Sequence, residues 1–211
     1  MLDALRNQLC KFAQAAPDAV FNLRDELTLF AADFIIRLTL GEDADGFDFE
    51  KAISQRIRNG KLYLQPSLWD SVPFLGKTVL RQSRQQYMQY AAETLDHFRG
   101  YVKRRQATFD ASADPRDVLD VLLQRMAAGE ISEDTVVTML TSDFFTAGTD
   151  TSTASLEWVI GHLFYAPPEK MARVQRELDA LNVAPTQLLR QADLTPEAVP
   201  YLYAAIKETF R

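Results

Sequence analysis

"DFFTAGTDTST", residues 143–153, lies inside the longest run of helical patterning in the chain. In a helix interior Gly costs about 1 kcal/mol against Ala, and Thr and Asp up to roughly 0.7 each. Ala147-Gly148-Thr149-Asp150-Thr151 therefore gathers poor helix formers in the middle of an otherwise well-patterned helix. Upstream, Ser132 reads as an N-cap, with Glu133 and Asp134 in the first turn. Downstream the pattern holds to Tyr165, where Ala166-Pro167-Pro168 ends it. These bounds predict one helix over about 132–165, roughly 50 Å long, where globular helices average about 10–14 residues. Such a helix crosses a whole domain, and the fold is organised around it.

On a 3.6-residue wheel Leu140, Phe144, Ala147 with Gly148, Thr151, Ala154 with Ser155, and Trp158 share one face. The centre of that face is small, which lets a flat or bulky group approach the backbone. Thr151 stands one turn after Ala147, and its hydroxyl can bond the Ala147 carbonyl and loosen the ladder. Asp150 points about 100° away. Ala-Gly alone is the ordinary mark of close helix–helix packing. The whole run of five, at the centre of such a helix, breaks local rules as functional sites do.

The rest of the chain is also helical in pattern. Residues 1–16 carry Leu2, Leu5, Leu9, Phe12 and Ala16 at helical spacing, and Pro17 breaks them off. In residues 22–41 the expected buried stripe is Leu23, Leu27, Phe30, Phe34, Ile35 and Leu38, stopped by Gly41. A short helix is expected over 49–59. A Pro- and aromatic-rich loop follows, then a long helix over about 77–107 whose "KRRQ" end suits the helix dipole. "VLDVLLQRMAAGE" and "EKMARVQRELDAL" are further helices, and a polar loop leads to a last one from Tyr201. Strand signals are weak throughout. The fold class is all-α, with a single domain over 1–211.

Composition excludes several functions. The net charge of −6 offers no basic surface for nucleic acid. A single cysteine, Cys10, permits no intrachain disulfide, and two histidines, His97 and His162, cannot form a His-rich metal site. Neither His sits in a Glu-x-x-His pair, so a carboxylate-bridged metal centre is not expected. "MLDALRNQLCKF" lacks the pattern of a signal peptide, and "LTLFAADFIIRLTL" is too short and charged to span a membrane.

Glu208 and Arg211 in "YLYAAIKETFR", residues 201–211, are spaced to pair on one helix face. Alone, such a pair is a solvated surface contact. Together with the Ala147–Thr151 run, it resembles the cytochrome P-450 family of haem-thiolate monooxygenases. The long helix is similar to that family's I-helix, with Ala147-Gly148-Thr149-Asp150-Thr151 matching (Ala/Gly)-Gly-x-(Asp/Glu)-Thr. Glu208-Thr209-Phe210-Arg211 matches the Glu-x-x-Arg of its K-helix. "AADFIIRLTLGED" is similar to the E-helix region, and "PSLWDSVPFLG" with the helix after it to the F–G region.

The resemblance implies a partial cytochrome P-450 fold and haem as cofactor. Ala147 and Gly148 would give room for dioxygen over the haem. Thr151 would deliver a proton there, and Asp150 would act as relay acid. Phe144 and Phe145 would lie near an apolar small-molecule substrate. Glu208 and Arg211 would be structural. Electrons would come from a redox partner, a reductase or a ferredoxin, with NADPH acting indirectly through the reductase. Membrane attachment would need an N-terminal anchor outside these residues. If the chain is of the eukaryotic microsomal type, that membrane is the endoplasmic reticulum.

In the family a cysteine thiolate in a Gly-rich loop after the K-helix ligates iron. No such loop is in this sequence, and Cys10, in an amphipathic helix far upstream, does not replace it. The 211 residues are thus expected to be an internal portion, from about the D-helix to the K-helix, holding no metal ligand and not binding haem through a thiolate alone. The competing reading is a non-catalytic helical interaction protein that uses the long helix as a scaffold, or an inactive remnant.

Overall fold

The computed structural model describes residues 22–41, 44, 81–183 and 191–211. The helices expected over 1–16 and 49–59 lie outside them. Seven α-helices are described: α1 (Leu23–Leu40), α2 (Arg81–Gln106), α3 (Val118–Ala127), α4 (Glu133–Thr138), α5 (Gly148–Tyr165), α6 (Pro168–Ala180) and α7 (Pro200–Thr209). Between α4 and α5, Met139–Ala147 winds as a π-helix, and Gln191–Asp193 makes one 3₁₀ turn. No strand occurs among the described residues. None of their helices is long and apolar enough to cross a membrane.

Local chemistry sets the bounds. Ser132 caps α4, its Oγ accepting from Thr135 N at 3.1 Å. Asp117 caps α3 in the same way, accepting from Asp120 N at 3.0 Å. α5 stops before Pro167, and Pro168 opens α6 at its first turn. α1 ends in Gly41, which has φ +58°; a Cβ there would lie 2.5 Å from Asp117 Oδ2.

The chain forms two compact units, Thr28–Asp150 and Met1–Leu27 with Thr151–Arg211, and both boundaries fall within helices, α1 and α5. The core of the first unit gathers Ile36 and Leu40 of α1, Phe98 and Val102 of α2, Leu119 and Leu123 of α3, Val136 and Val137 of α4, and Leu140 and Phe145 of the π segment. In the second, Val174 of α6 and Val199 before α7 are buried. α7 has no side-chain cap of its own. Instead Glu177, from α6, accepts from Tyr201 N at 2.9 Å and Leu202 N at 3.0 Å. Arg173 lies over the Tyr201 ring, 4.4 Å from its centre.

The buried stripe expected for α1 is corrected. Phe34 and Leu38 are half exposed, at 50% and 49%, whereas Ala31, Ala32, Ile36 and Thr39 are buried. The helix is apolar on nearly every side, so periodicity selects no face. The chosen face is the one with small residues, and its polar Thr39 is satisfied by the Ile35 carbonyl at 2.8 Å.

The basic end of α2 is not simply a dipole partner. Arg105 is 5% exposed. Its guanidinium donates to Asp117 Oδ2 at 2.9 Å, Asp120 Oδ1 at 2.7 Å and the Leu40 carbonyl at 2.8 Å. Arg116 completes the cluster on Asp120 at 2.7 Å. Burial alone would raise the Asp120 carboxyl; hydrogen bonds from Arg116 and Arg105 outweigh it and hold the group at about 2. A carboxyl depressed from 3.8 contributes stability in full above that value, and loses it as pH falls through about 2. Stability is therefore expected to drop by about 2 kcal/mol as pH falls from about 4 to 2. Asp120→Asn should flatten this step in an acid-unfolding series, and an unchanged step would show that another group carries it.

Candidate functional site

The Ala147–Thr151 run sits where the long helix leaves π geometry. The helix does run from Glu133 to Tyr165, but with a nine-residue π-helix inside it. This corrects the single 3.6-residue wheel. Leu140 is buried at 1%, whereas Thr151 and Trp158 are exposed, so the three do not share a face. Besides Val136 and Leu140, the buried positions are Val137, Thr141, Phe145 and Thr149, four residues apart each time. Thr153, also buried, continues the spacing. A continuous α-helix turns about 100° per residue and would carry Thr149 roughly 120° round from Val137. A π-helix turns only about 82° per residue, and nine such residues bring Thr149 back to within roughly 40°. The π segment thus keeps a stripe spaced by fours on one face.

Threonine hydroxyls lie at both ends of the segment. Thr141 Oγ1 donates to the Val137 carbonyl at 2.8 Å, and Thr149 Oγ1 to the Phe145 carbonyl at 2.6 Å. The π turns lie over Met139–Ala147, upstream of Thr151, and the sequence reading did not foresee them. The missed signal was the repeat of four in Val137, Thr141, Phe145, Thr149 and Thr153, which the 3.6 wheel hides.

The structure distributes the sequence-predicted site residues as follows. Ala147 and Thr151 are exposed, one turn apart. Asp150 is half-buried beside them. Gly148 turns elsewhere: a Cβ on it would lie 3.0 Å from Ile35 Cδ1 and 3.2 Å from Ile35 Cγ1. Its missing side chain makes room for α1. Phe144 and Phe145 part company too. Phe145 is 1% exposed in the core, its ring 5.6 Å from that of Phe98. Phe144 is only half-buried and packs at the core's edge. Glu208 and Arg211 pair at 3.4 Å with side chains 64% and 81% exposed, a contact worth tenths of a kcal/mol as it stands.

The Gly148 contact gives a test. Gly148→Ala gains up to about 1 kcal/mol of helix propensity and loses a similar amount by crowding Ile35. The net change should be within about 1 kcal/mol, and Ile35→Val in the same chain should turn it stabilising. Additive effects of the two substitutions in a urea titration would show that they do not touch.

A flat group laid on the helix here would meet the methyl of Ala147 and the side chain of Thr151, with Asp150 next along. These residues fit the open side of a haem. No cluster of three or more His, Cys, Asp or Glu able to hold a metal occurs among the described residues, and Cys10 lies outside them. Further along α5, a shallow groove of about 420 Å³ is lined by Leu23, Glu157, Ile160, Gly161, Phe164 and Tyr165. None of the predicted site residues lines it.

The chain has relatives among plant proteins. It is 34% identical to Cytochrome P450 monooxygenase 76AD131 of Lophophora williamsii over 151 residues, covering 70% of this chain and 29% of that protein. Geraniol 8-hydroxylase of Swertia mussotii is 34% identical over 148 residues, again 70% of this chain and 29% of its own length. Corytuberine synthase of Coptis japonica matches at 28% identity over 214 residues, 100% of this chain and 40% of its own. The chain thus spans between 29% and 40% of the length of these three relatives. The family profile of Cytochrome P450 matches residues 1–211 from end to end. This chain therefore belongs to the cytochrome P450 family.

Proposed function

We propose that this chain forms the oxygen-side portion of a haem-dependent monooxygenase. The reaction inserts one atom of dioxygen into an apolar organic substrate and releases the other as water. The observation that carries this reading is the exposed pair Ala147 and Thr151, one turn apart just past the π segment, with Asp150 half-buried beside them. π segments are frequent at functional sites. The names of the relatives, a monooxygenase and a geraniol hydroxylase among them, support it.

Haem, when bound, holds and activates dioxygen. The residues of this chain do the rest on that side. Ala147 leaves space at the helix surface. The Thr151 hydroxyl donates a proton at that surface and is recharged from Asp150, whose carboxyl exchanges protons with water. Phe144, half exposed, gives an apolar edge for the substrate. The electrons come from NADPH through a reductase, or from a ferredoxin. If the complete protein is of the eukaryotic microsomal type, its place is the endoplasmic reticulum membrane.

The test uses the complete product of the transcript that encodes these residues. It is incubated with NADPH, a reductase and an apolar terpenoid alcohol under oxygen-18-labelled dioxygen. One labelled atom in the product is expected. Product oxygen drawn from water, or no oxygenated product across a panel of apolar substrates, overturns the proposal.

A further inference from the structure

α7 carries Glu208 in its last turn, yet none of its own residues is buried. A helix without a buried side chain is held by what grips its ends. Glu177 of α6 grips the first turn, accepting from Tyr201 N at 2.9 Å and Leu202 N at 3.0 Å. At the other end His162 of α5 meets Thr209, the last residue of α7, with Nδ1 3.3 Å from Oγ1. Thr209 stands between Glu208 and Arg211 in the motif. The His162 ring lies in turn against Trp158, one turn back on α5, with ring centres 5.6 Å apart. His162, Trp158 and Thr209 all belong to the unit that contains Thr151–Arg211.

The single hydroxyl proton of Thr209 fixes the direction of this bond. Thr209 Oγ1 also lies 3.0 Å from the Ala205 carbonyl, which can only accept. The proton therefore goes to the carbonyl, the shorter of the two contacts. The oxygen then faces His162 with a lone pair, so Nδ1 donates. Neutral His162 is thus the Nδ1–H tautomer, and Nε2 is left as an acceptor. We infer that His162 is a positioning residue for the Glu208–Arg211 motif: its Nδ1–H, donated to Thr209, holds the last turn of α7 against α5 and keeps it from fraying. The purpose of this contact rests on the proposed monooxygenase, in which Glu208 and Arg211 are structural, but its test needs no turnover.

In the full chain, labelled with nitrogen-15 histidine, only His97 and His162 give imidazole signals. His162→Phe keeps a ring beside Trp158, removes the donor, and identifies the His162 signal by its loss. In alkaline buffer, where imidazole is neutral, wild-type His162 should carry its proton on Nδ1. Thr209→Val should release it to a mixture of both tautomers, and Thr209→Ser should restore the wild-type pattern. Amide exchange at Glu208 and Thr209 should rise about fivefold in His162→Phe, while Arg173–Glu177 in α6 keep their rates. Thr209→Val should raise it at least as far, and the double variant should match Thr209→Val, because both substitutions break the same bond. A wild-type proton on Nε2 overturns the inference, as does unchanged exchange in His162→Phe. So do additive effects in the double variant, and so does an equal rise in α6, which marks a general loss of stability. If the expected signals appear and the oxygen-18 experiment fails, the positioning role stands and the monooxygenase reading falls.

Discussion

Replacing Arg105 by Met lowers the stability of the Thr28–Asp150 unit by about 3–5 kcal/mol, the usual result of removing one partner from a buried ion pair. Arg105, at 5% exposure, joins three elements. It bonds the C-terminal carbonyl of α1 at Leu40, the capping Asp117 before α3, and Asp120 within α3. Without it, two buried carboxylates face each other with only Arg116 nearby, and Arg116 reaches only Asp120. The Leu40 carbonyl loses a donor as well. Arg105→Lys should fall between wild type and Met, because one ammonium cannot match three acceptors that a planar guanidinium spans. Lys103→Met, two residues away and exposed, should change stability by about 0.5 kcal/mol or less. Urea unfolding followed by far-ultraviolet circular dichroism reads all three. A loss below about 1 kcal/mol for Met would show that the cluster is replaceable.

The other large effect falls on turnover. In the complete protein, Thr151→Val is expected to lower product formation about a hundredfold, the lower end of what a positioned proton donor contributes. Asp150→Asn should have a comparable effect, because it removes the group that recharges Thr151. Thr151→Ser should retain most activity. NADPH consumption should persist in the Val variant while labelled product falls, since electrons still arrive and only the proton is missing. If product and NADPH consumption fall together, Thr151 acts in binding or folding and the proton-delivery role is wrong.

Much of this was legible in the sequence, for identifiable reasons. The helix around residues 143–153 could be bounded because its ends carry strong local chemistry, Ser132 at one and Pro167-Pro168 at the other. Gly41 marked the end of α1 for the same kind of reason. The motif residues could be named because they violate helix propensity together. What could not be read depends on partners distant in the chain. Arg105 lies in a basic run, "KRRQ", in which only the fold decides which side chain turns inward. Its acceptors come from Leu40, Asp117 and Asp120. The face of α1 was unreadable because Leu29, Phe34 and Leu38 are as apolar as the residues that are buried. The Ile35 side chain beside Gly148 was unreadable, because a missing side chain does not disclose what lies next to it. Glu177, which caps α7 from another helix, carries no local pattern at all.

A π segment is a place where a helix holds about one more residue per turn than its neighbours need. Within the helix from Glu133 to Tyr165, Met139–Ala147 is therefore the stretch where loss of a single codon does least harm. Removing Ser142 or Asp143, both exposed, would tighten the winding towards α and leave the flanking cap and motif intact in sequence. Among helical positions, length variation in descendants of this gene should gather there, and the same codon lost from α3 or from the middle of α5 should be purged.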